Sequence, residues 1–461
     1  MEMLSSDAIT IRHGVAARLE RLPLTRYQRS IFAVIATAWL FDSMDLGIMT
    51  FVLGSIKAEF HLTAAQAGML ASSSFLGMLV GAATAGLLAD HFGRKPVFQV
   101  SMIFWGLGSL LCGFAHDVAW LMAFRILLGF GMGMEFPIGQ SIVSEMLPAK
   151  NRGRYVALLE GFWPIGFIAA GIATYFLLPV IGWRGIFIAL AAPSVFVFAV
   201  RRCVPESPRW LESAGRTIDA DAVVAGIEAK VKAALAGAEL PPVAPVANAA
   251  ASVHGCAGFS QLWKGGYARR TFMTWTLWFF ALLGYYGLTT WLGALLQSAG
   301  CEVTKSVFYT IIISLAGIPG FLCFAWLLDA WGRKPSCVLT LVGSAAFAYL
   351  YGQAAVTHAP VVQLIATGMC MQFFFFGMWS VLYAYTPELY PTRTRATGSG
   401  FASAIGRIGS LLGPFAVGLV LPVMGQGGVF TVGAVSFLVA AVVVITLGVE
   451  TKGRALEAVS V

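Results

Sequence analysis

Apolar residues run nearly uninterrupted in stretches of about 20 or more between short polar segments, from about residue 30 to residue 449. Each stretch is long enough to cross a bilayer as a helix, which takes about 20 apolar residues. A transmembrane β-strand would show about ten residues of alternating polarity, and these runs do not alternate. The pattern predicts twelve helical spans, at 30–56, 66–89, 97–115, 118–145, 155–179, 183–203, 270–298, 306–329, 336–356, 360–386, 395–421 and 427–449. An even number returns the C-terminus to the side where the N-terminus started.

Composition agrees: 58% of the 461 residues are hydrophobic and 11% are charged, against about a quarter charged in an average soluble domain. A soluble enzyme is excluded, and the fold class is an all-α polytopic membrane protein. The net charge of +8 would suggest nucleic acid, but its placement explains it otherwise. All but five of the 30 lysines and arginines fall in the N-terminal tail, the loops joining even to odd spans, the span ends that border those loops (Arg201, Arg202, Arg270 and Arg395), or the C-terminal tail. The exceptions are Lys57, Arg184 and Lys305 in opposite loops, and Arg125 and Arg407 inside spans. Positive charge marks the cytoplasmic side, so both termini are expected there and no nucleic-acid partner is inferred. The polar, basic first 29 residues lack the apolar core and small-residue cleavage site of a signal peptide. Seven scattered cysteines with no Cys-x-x-Cys pair imply neither a disulfide framework nor a metal site, and no cofactor is expected.

The long hydrophilic stretch, 204–269, has an Ala/Pro-rich middle and reads as a linker; its charged start is compatible with helix. The predicted organisation is a tail at 1–29, a six-helix bundle at 30–203, the linker, a second bundle at 270–449 and a tail at 450–461. The bundles are copies. Asp90-HFGRKP returns as Asp329-AWGRKP, a shift of 239; Glu145-MLPAKNRGR answers Glu388-LYPTRTRATG, a shift of 243; Pro-Glu206-SPR answers Val-Glu450-TKGR, a shift of 244. Every span keeps its direction between copies, so these are parallel repeats about an axis along the membrane normal.

Acids and bases recur together at the repeated loops. Asp90 and Arg94 stand with Glu145, Arg152 and Arg154, and the second half repeats the set as Asp329, Arg333, Glu388 and Arg395. Such charges can latch helix ends when the cytoplasmic mouth is closed. A plainer reading is a tight turn carrying topology-setting charge, because an exposed ion pair contributes only about 0–1 kcal/mol.

Six charged residues lie within spans away from their ends: Asp42, Asp45, Arg125, Glu135, Glu160 and Arg407. A charge at bilayer depth costs at least about 2.5–3.5 kcal/mol, so each is a candidate functional residue. Arg407, 12 residues into its span, is about 18 Å deep. Glu160, near the start of its span, reads as a gate residue.

The G-x-x-x-D-x-x-G-R-K pattern from Gly86 to Lys95, the R-x-x-x-G-x-G-x-G run from Arg125 to Gly133 and PESPR at 205–209 resemble the major facilitator superfamily over essentially the whole chain. More narrowly, WLFDSMDLGI, LLEGFWPIG, GYYGLTTWL, VLYAYTPELYPTRTRATGSG and AIGRIG resemble bacterial nicotinate (niacin) transporters and the related synaptic vesicle glycoprotein 2 family. The resemblance implies the twelve-helix major facilitator fold and secondary active import of nicotinate or a similar aromatic monocarboxylate by proton symport, in the cytoplasmic membrane and as a monomer. Another aromatic acid, or a neutral pyridine such as nicotinamide, is the alternative cargo; a non-transporting receptor or scaffold is the alternative class.

The resemblance also implies roles. Asp45 matches the span-one acid of proton-coupled members and Arg125 the span-four arginine that sets its acidity, with Asp42 and Glu135 as reserve carriers. A permanent ion pair joining two helices is the plainer reading of Asp45 and Arg125. Trp163, Tyr285, Tyr286 and Trp379 match the ligand-cage aromatics of the synaptic vesicle relatives, and Arg407 the arginine that organic-anion members place near the cavity. The repeat adds support from within the sequence: Trp163 shifted by 243 or 244 falls on Gly406 or Arg407, and Asp45 shifted by 240 falls on Tyr285. Transporter sites form at such repeat interfaces near the midplane.

Overall fold

The structure, a computed structural model, describes residues 14–147, 149–235, 239–243, 261–298, 300–390 and 394–452; within these, the side chains at 149–154, 156, 157, 199, 201, 395 and 396 are not described. The first half holds α1 (Val15–Glu20), α2 (Arg26–Glu59), α3 (Ala64–Phe92), α4 (Arg94–Gly113), α5 (Val118–Met146), α6 (Ala149–Ala191) and, after a 3₁₀ turn, α7 (Val197–Cys203). The linker contributes α8 (Pro208–Ser213) and α9 (Thr217–Ala234). The second half holds α10 (Tyr267–Ser298), α11 (Val303–Leu315), α12 (Gly317–Ala330), α13 (Arg333–Val356), α14 (Val361–Glu388) and α15 (Arg395–Leu447). At 34 residues, α2 is about 51 Å long and so extends beyond a hydrocarbon core of about 30 Å.

Among the described residues ten helical stretches are long and apolar enough to cross a membrane, α11 and α12 together forming one; this gives twelve spans, because α6 and α15 each hold two. Each breaks at one glycine, Gly182 or Gly425, with φ of 64° in both, a left-handed conformation that costs glycine nothing. The two positions differ by 243 residues, the interval of the sequence repeat. The short loops before α3 and α5 begin those helices with side-chain caps from Thr63 and Asp117. Gln66 N–H donates to Thr63 Oγ1 at 3.2 Å while Thr63 N–H donates to Gln66 Oε1 at 2.9 Å, satisfying two donors that a helix start leaves free.

Within the first half α2 packs on α6, α3 on α5 and α4 on both α5 and α6; within the second, α10 and α13 pack on α15, and α12 and α13 on α14. Small residues let these backbones approach. A methyl on Gly77 would lie 2.0 Å from the Ile126 carbonyl oxygen, and one on Gly409 2.2 Å from that of Phe279. The large apolar side chains left outside, such as Val423 at 84% exposure, are suited to lipid.

The halves meet along α2–α10, α3–α15 and α6–α11. The tightest approaches are on the face away from the termini. A methyl on Gly68 would sit 2.8 Å from the Pro414 carbonyl oxygen, and one on Gly171 2.7 Å from Ile311. On the terminal face, the linker is more than a tether as far as Ala234. There α9 is tied to α1 by Arg18, which reaches Asp221 at 3.0 Å and Glu228 at 2.7 Å, and by Arg21, which reaches Glu228 at 2.7 Å. Burial opposes ionisation of Glu228, but the hydrogen bonds from these arginines outweigh it and hold its carboxyl below the usual range. The Ala/Pro-rich middle of the linker lies mostly outside the described residues.

Candidate functional site: a cavity at the seam of two repeats

The repeated loops fold into two copies of one cluster. After α3, Gly93 has φ of 100°; after α12, Gly332 has φ of 125°. The next residue, Arg94 or Arg333, donates its backbone N–H to Glu206 Oε1 at 2.9 Å or Glu450 Oε1 at 3.0 Å. A methyl on Gly93 would come within 2.5 Å of Glu206, and one on Gly332 within 2.8 Å of Glu450, so glycine is required by both conformation and space. The guanidinium of Arg94 meets Asp90 at 2.9 Å and Glu145 at 3.6 Å; that of Arg333 meets Asp329 at 3.3 Å and Glu388 at 3.1 Å. These pairs each stay within one half. The side chains of Arg152, Arg154 and Arg395 lie outside the described residues.

Between the halves is a narrow cavity lined by residues of both. The first half contributes Phe136 from α5 and Glu160 and Trp163 from α6; the second contributes Tyr286 from α10, Trp379 and Tyr383 from α14 and Arg407 from α15. The aromatic walls hold each other. Trp379 stacks on Tyr383 with centroids 5.8 Å apart and planes at 22°, and meets Tyr286 edge-on at 6.1 Å. Phe136 and Trp163 are 5.4 Å apart. Ser43 on α2 fixes the Trp163 backbone by donating to its carbonyl at 2.5 Å.

One cation enters this wall. The Arg407 guanidinium carbon lies 4.9 Å from the Phe136 ring centroid, across the seam, a cation–π contact. Its charge is felt by Asp42, Glu160, Tyr286 and Tyr383. Glu160 accepts a hydrogen bond from Gln140 Nε2 at 2.9 Å. Aromatic faces and a guanidinium together can hold a flat ring that carries an anionic group.

Comparison with known proteins shows the family. The Major Facilitator Superfamily pattern matches residues 35–375 and 316–459. The chain belongs to the major facilitator superfamily. It is 37% identical over 446 residues to the niacin transporter NiaP of Acinetobacter baylyi, covering 96% of this chain and 99% of that protein. It is 30% identical to the synaptic vesicle 2-related protein of Rattus norvegicus, over 95% of this chain and 81% of that one. Among solved structures, a partially occluded inward-open form of the xylose transporter XylE from E. coli superposes with a TM-score of 0.75 at 19% identity, over 93% of this chain and 99% of that one.

On this major facilitator frame the sequence candidates separate by position. Trp163, Tyr286, Trp379 and Arg407 share the central cavity, whereas Tyr285 does not line it. Adjacent residues on a helix are turned by about 100°, so Tyr285 points elsewhere, meeting Trp379 edge-on at 5.3 Å and lining a second cavity. Glu160, read from its place in the sequence as a gate residue, lines the central cavity. The reason is that α6 starts at Ala149, earlier than the predicted 155, which places Glu160 about 16 Å along the helix. The walls Phe136 and Tyr383 were not anticipated. Tyr383 was within reach, since it lies four residues after Trp379 and so on the same helical face; Phe136 had no such signal.

The remaining acids gather beside the cavity in the first half. Asp42, Asp45, Arg125 and Glu135 are at most 1% exposed. Asp45 Oδ2 accepts from Trp105 Nε1 at 3.2 Å, while Asp45 Oδ1 and Arg125 Nε and Nη1 have no hydrogen-bond partner. Asp45 and Arg125 feel each other's charge, and Asp42 feels both Asp45 and Glu135.

Proposed function

We propose that the protein imports nicotinate, or a similar aromatic monocarboxylate, across the cytoplasmic membrane by proton symport with alternating access. The observation that carries this reading is the seam cavity in which Arg407 stands among Trp163, Tyr286 and Trp379. The rings pack against a pyridine and the guanidinium takes its carboxylate. The name of the Acinetobacter relative supports nicotinate among the aromatic acids. Asp45 is the proposed proton carrier, with Arg125 beside it and Asp42 and Glu135 in reserve, because a buried carboxylate with a free oxygen can change charge without losing a direct partner. The concentration of lysine and arginine on the terminal side supports cytoplasmic termini. Contact of the halves along the far face then shuts the outer mouth, and the Arg94 and Arg333 clusters are the proposed latches of the inner one.

Proteoliposomes test this directly. With an inward proton gradient, labelled nicotinate is expected to accumulate above its external concentration and to lose that accumulation when a protonophore is added. Uptake that ignores the gradient would refute symport; no uptake of any aromatic acid would refute the substrate class. Glu160 supports a second cargo, since its carboxylate in the cavity could accept from the amide of nicotinamide. Competition of nicotinamide against labelled nicotinate decides whether both enter.

A further inference from the structure

A second cavity adjoins the first. Trp163 and Tyr286 line both and form the partition. Its other walls include Met49 and Thr50 on α2 and Thr289 and Thr290 on α10, each further along its helix from the terminal face than Asp45 or Tyr286. The two cavities are therefore stacked along the membrane normal, the second nearer the sealed far face. Arg125 lines it. That residue is 1% exposed, and neither its Nε nor its Nη1 has a hydrogen-bond partner. Thr289 Oγ1, in the same wall, is also buried without a partner.

A guanidinium with two unpartnered nitrogens is costly away from water, and what stands near this one compensates it only partly. Asp45 on α2 acts at a distance and spends one oxygen on Trp105. Cys112 on α4 is an uncharged thiol neighbour, and Phe187 offers its ring at 5.8 Å. Free donors on a buried cation, a free hydroxyl and walls of Phe75, Phe167 and Tyr285 repeat the chemistry of the central site. We propose that this second cavity is a further station for the small aromatic carboxylate, with the carboxylate on Arg125 and the Thr289 hydroxyl and the ring against the Tyr286–Trp163 partition. The proposal rests on the carboxylate reading of the central site. It adds an order of events: an anion entering from the far side meets Arg125 first and passes the partition to reach Arg407. Neutralising Asp45 leaves Arg125 with its full attraction for the anion, so proton and carboxylate load together on one pair of residues.

Equilibrium binding of labelled nicotinate to the purified full-length chain in lipid nanodiscs tests this. Wild type is expected to bind two nicotinates per chain at saturation. Arg125→Gln and Thr289→Val are expected to lose one, and Arg407→Gln the other. Asp45→Asn is expected to tighten the Arg125 station by about five- to a hundredfold, the usual size of coupling between sites, which a merely structural arginine would not do. Arg125→Lys, which keeps the charge, guards against misfolding and is expected to retain two-site binding. A stoichiometry of one that survives Arg125→Gln overturns the second station and leaves the central reading intact. Loss of the Arg125 station with unchanged binding in Arg407→Gln instead overturns the central clamp. Binding of chloride alone at Arg125, with no displacement by nicotinate, also overturns the proposal.

Discussion

Half-buried Arg407 and fully buried Asp45 illustrate how charges inside the spans can serve two different ends. Arg407 faces a cavity with aromatic walls, where a charge-assisted hydrogen bond contributes roughly 1.5–3 kcal/mol. Arg407→Ala is accordingly expected to weaken nicotinate about ten- to a hundredfold and nicotinamide far less. Calorimetry on the purified variant measures both, and equal losses would make the arginine structural. Trp163→Ala or Trp379→Ala removes ring contact common to the two ligands, so both should weaken together. Asp45 has no ligand-facing wall in the central cavity. Its replacement by Asn is expected to abolish uphill accumulation while leaving counterflow of labelled nicotinate measurable, and retained accumulation would remove Asp45 from the coupling role.

Among the elements, the loops after α3 and α12 repay most attention because each converts a short motif into a fixed geometry. Gly332 holds a φ of 125° against Glu450, so Gly332→Ala combines left-handed strain of about 1–2 kcal/mol with a clash, and a lowered unfolding temperature is expected. Burial works against ionisation of Glu450, but backbone N–H groups of Lys452, Arg333, Lys334 and Thr451 outweigh it and hold its carboxyl below the usual range. Its folded value is thus below the unfolded value of about 4.3. The contribution of this carboxylate to stability is present above that unfolded value and is lost as pH falls through the folded one. In Glu450→Gln, this part of the acid sensitivity should vanish, as thermal unfolding scans between neutral and acid pH would show.

For the whole molecule, the seam between the halves is tight on the face away from the termini. Gly68 lies against backbone atoms of Pro414, Phe415 and Gly418 within 3.2 Å of where a Cβ would stand, and backbone does not yield as a side chain tip does. Gly68→Val is expected to push α3 from α15 and open the far face. A cysteine placed at buried Thr50 should then react with an impermeant thiol reagent from that side, whereas in the Gly68 parent it should not.

Span count, the duplication and the placement of positive charge are all legible along the chain, because lipid imposes its demands on each helix separately. Any stretch that crosses must be apolar for about 20 residues, whatever it packs against, and Gly93 and Gly332 announce their turns by local conformation alone. The cavity was legible only in part. Arg407 stood out because a charge in a span is rare, and the repeat paired it with Trp163. Which face of α10 lines the central cavity, that Glu160 lines it too, and that Phe136 meets Arg407 across the seam are decided by tertiary packing. Those facts depend on helix rotation and on contact between halves more than 200 residues apart, where one residue's turn of about 100° exchanges Tyr285 for Tyr286 and no local pattern records the difference.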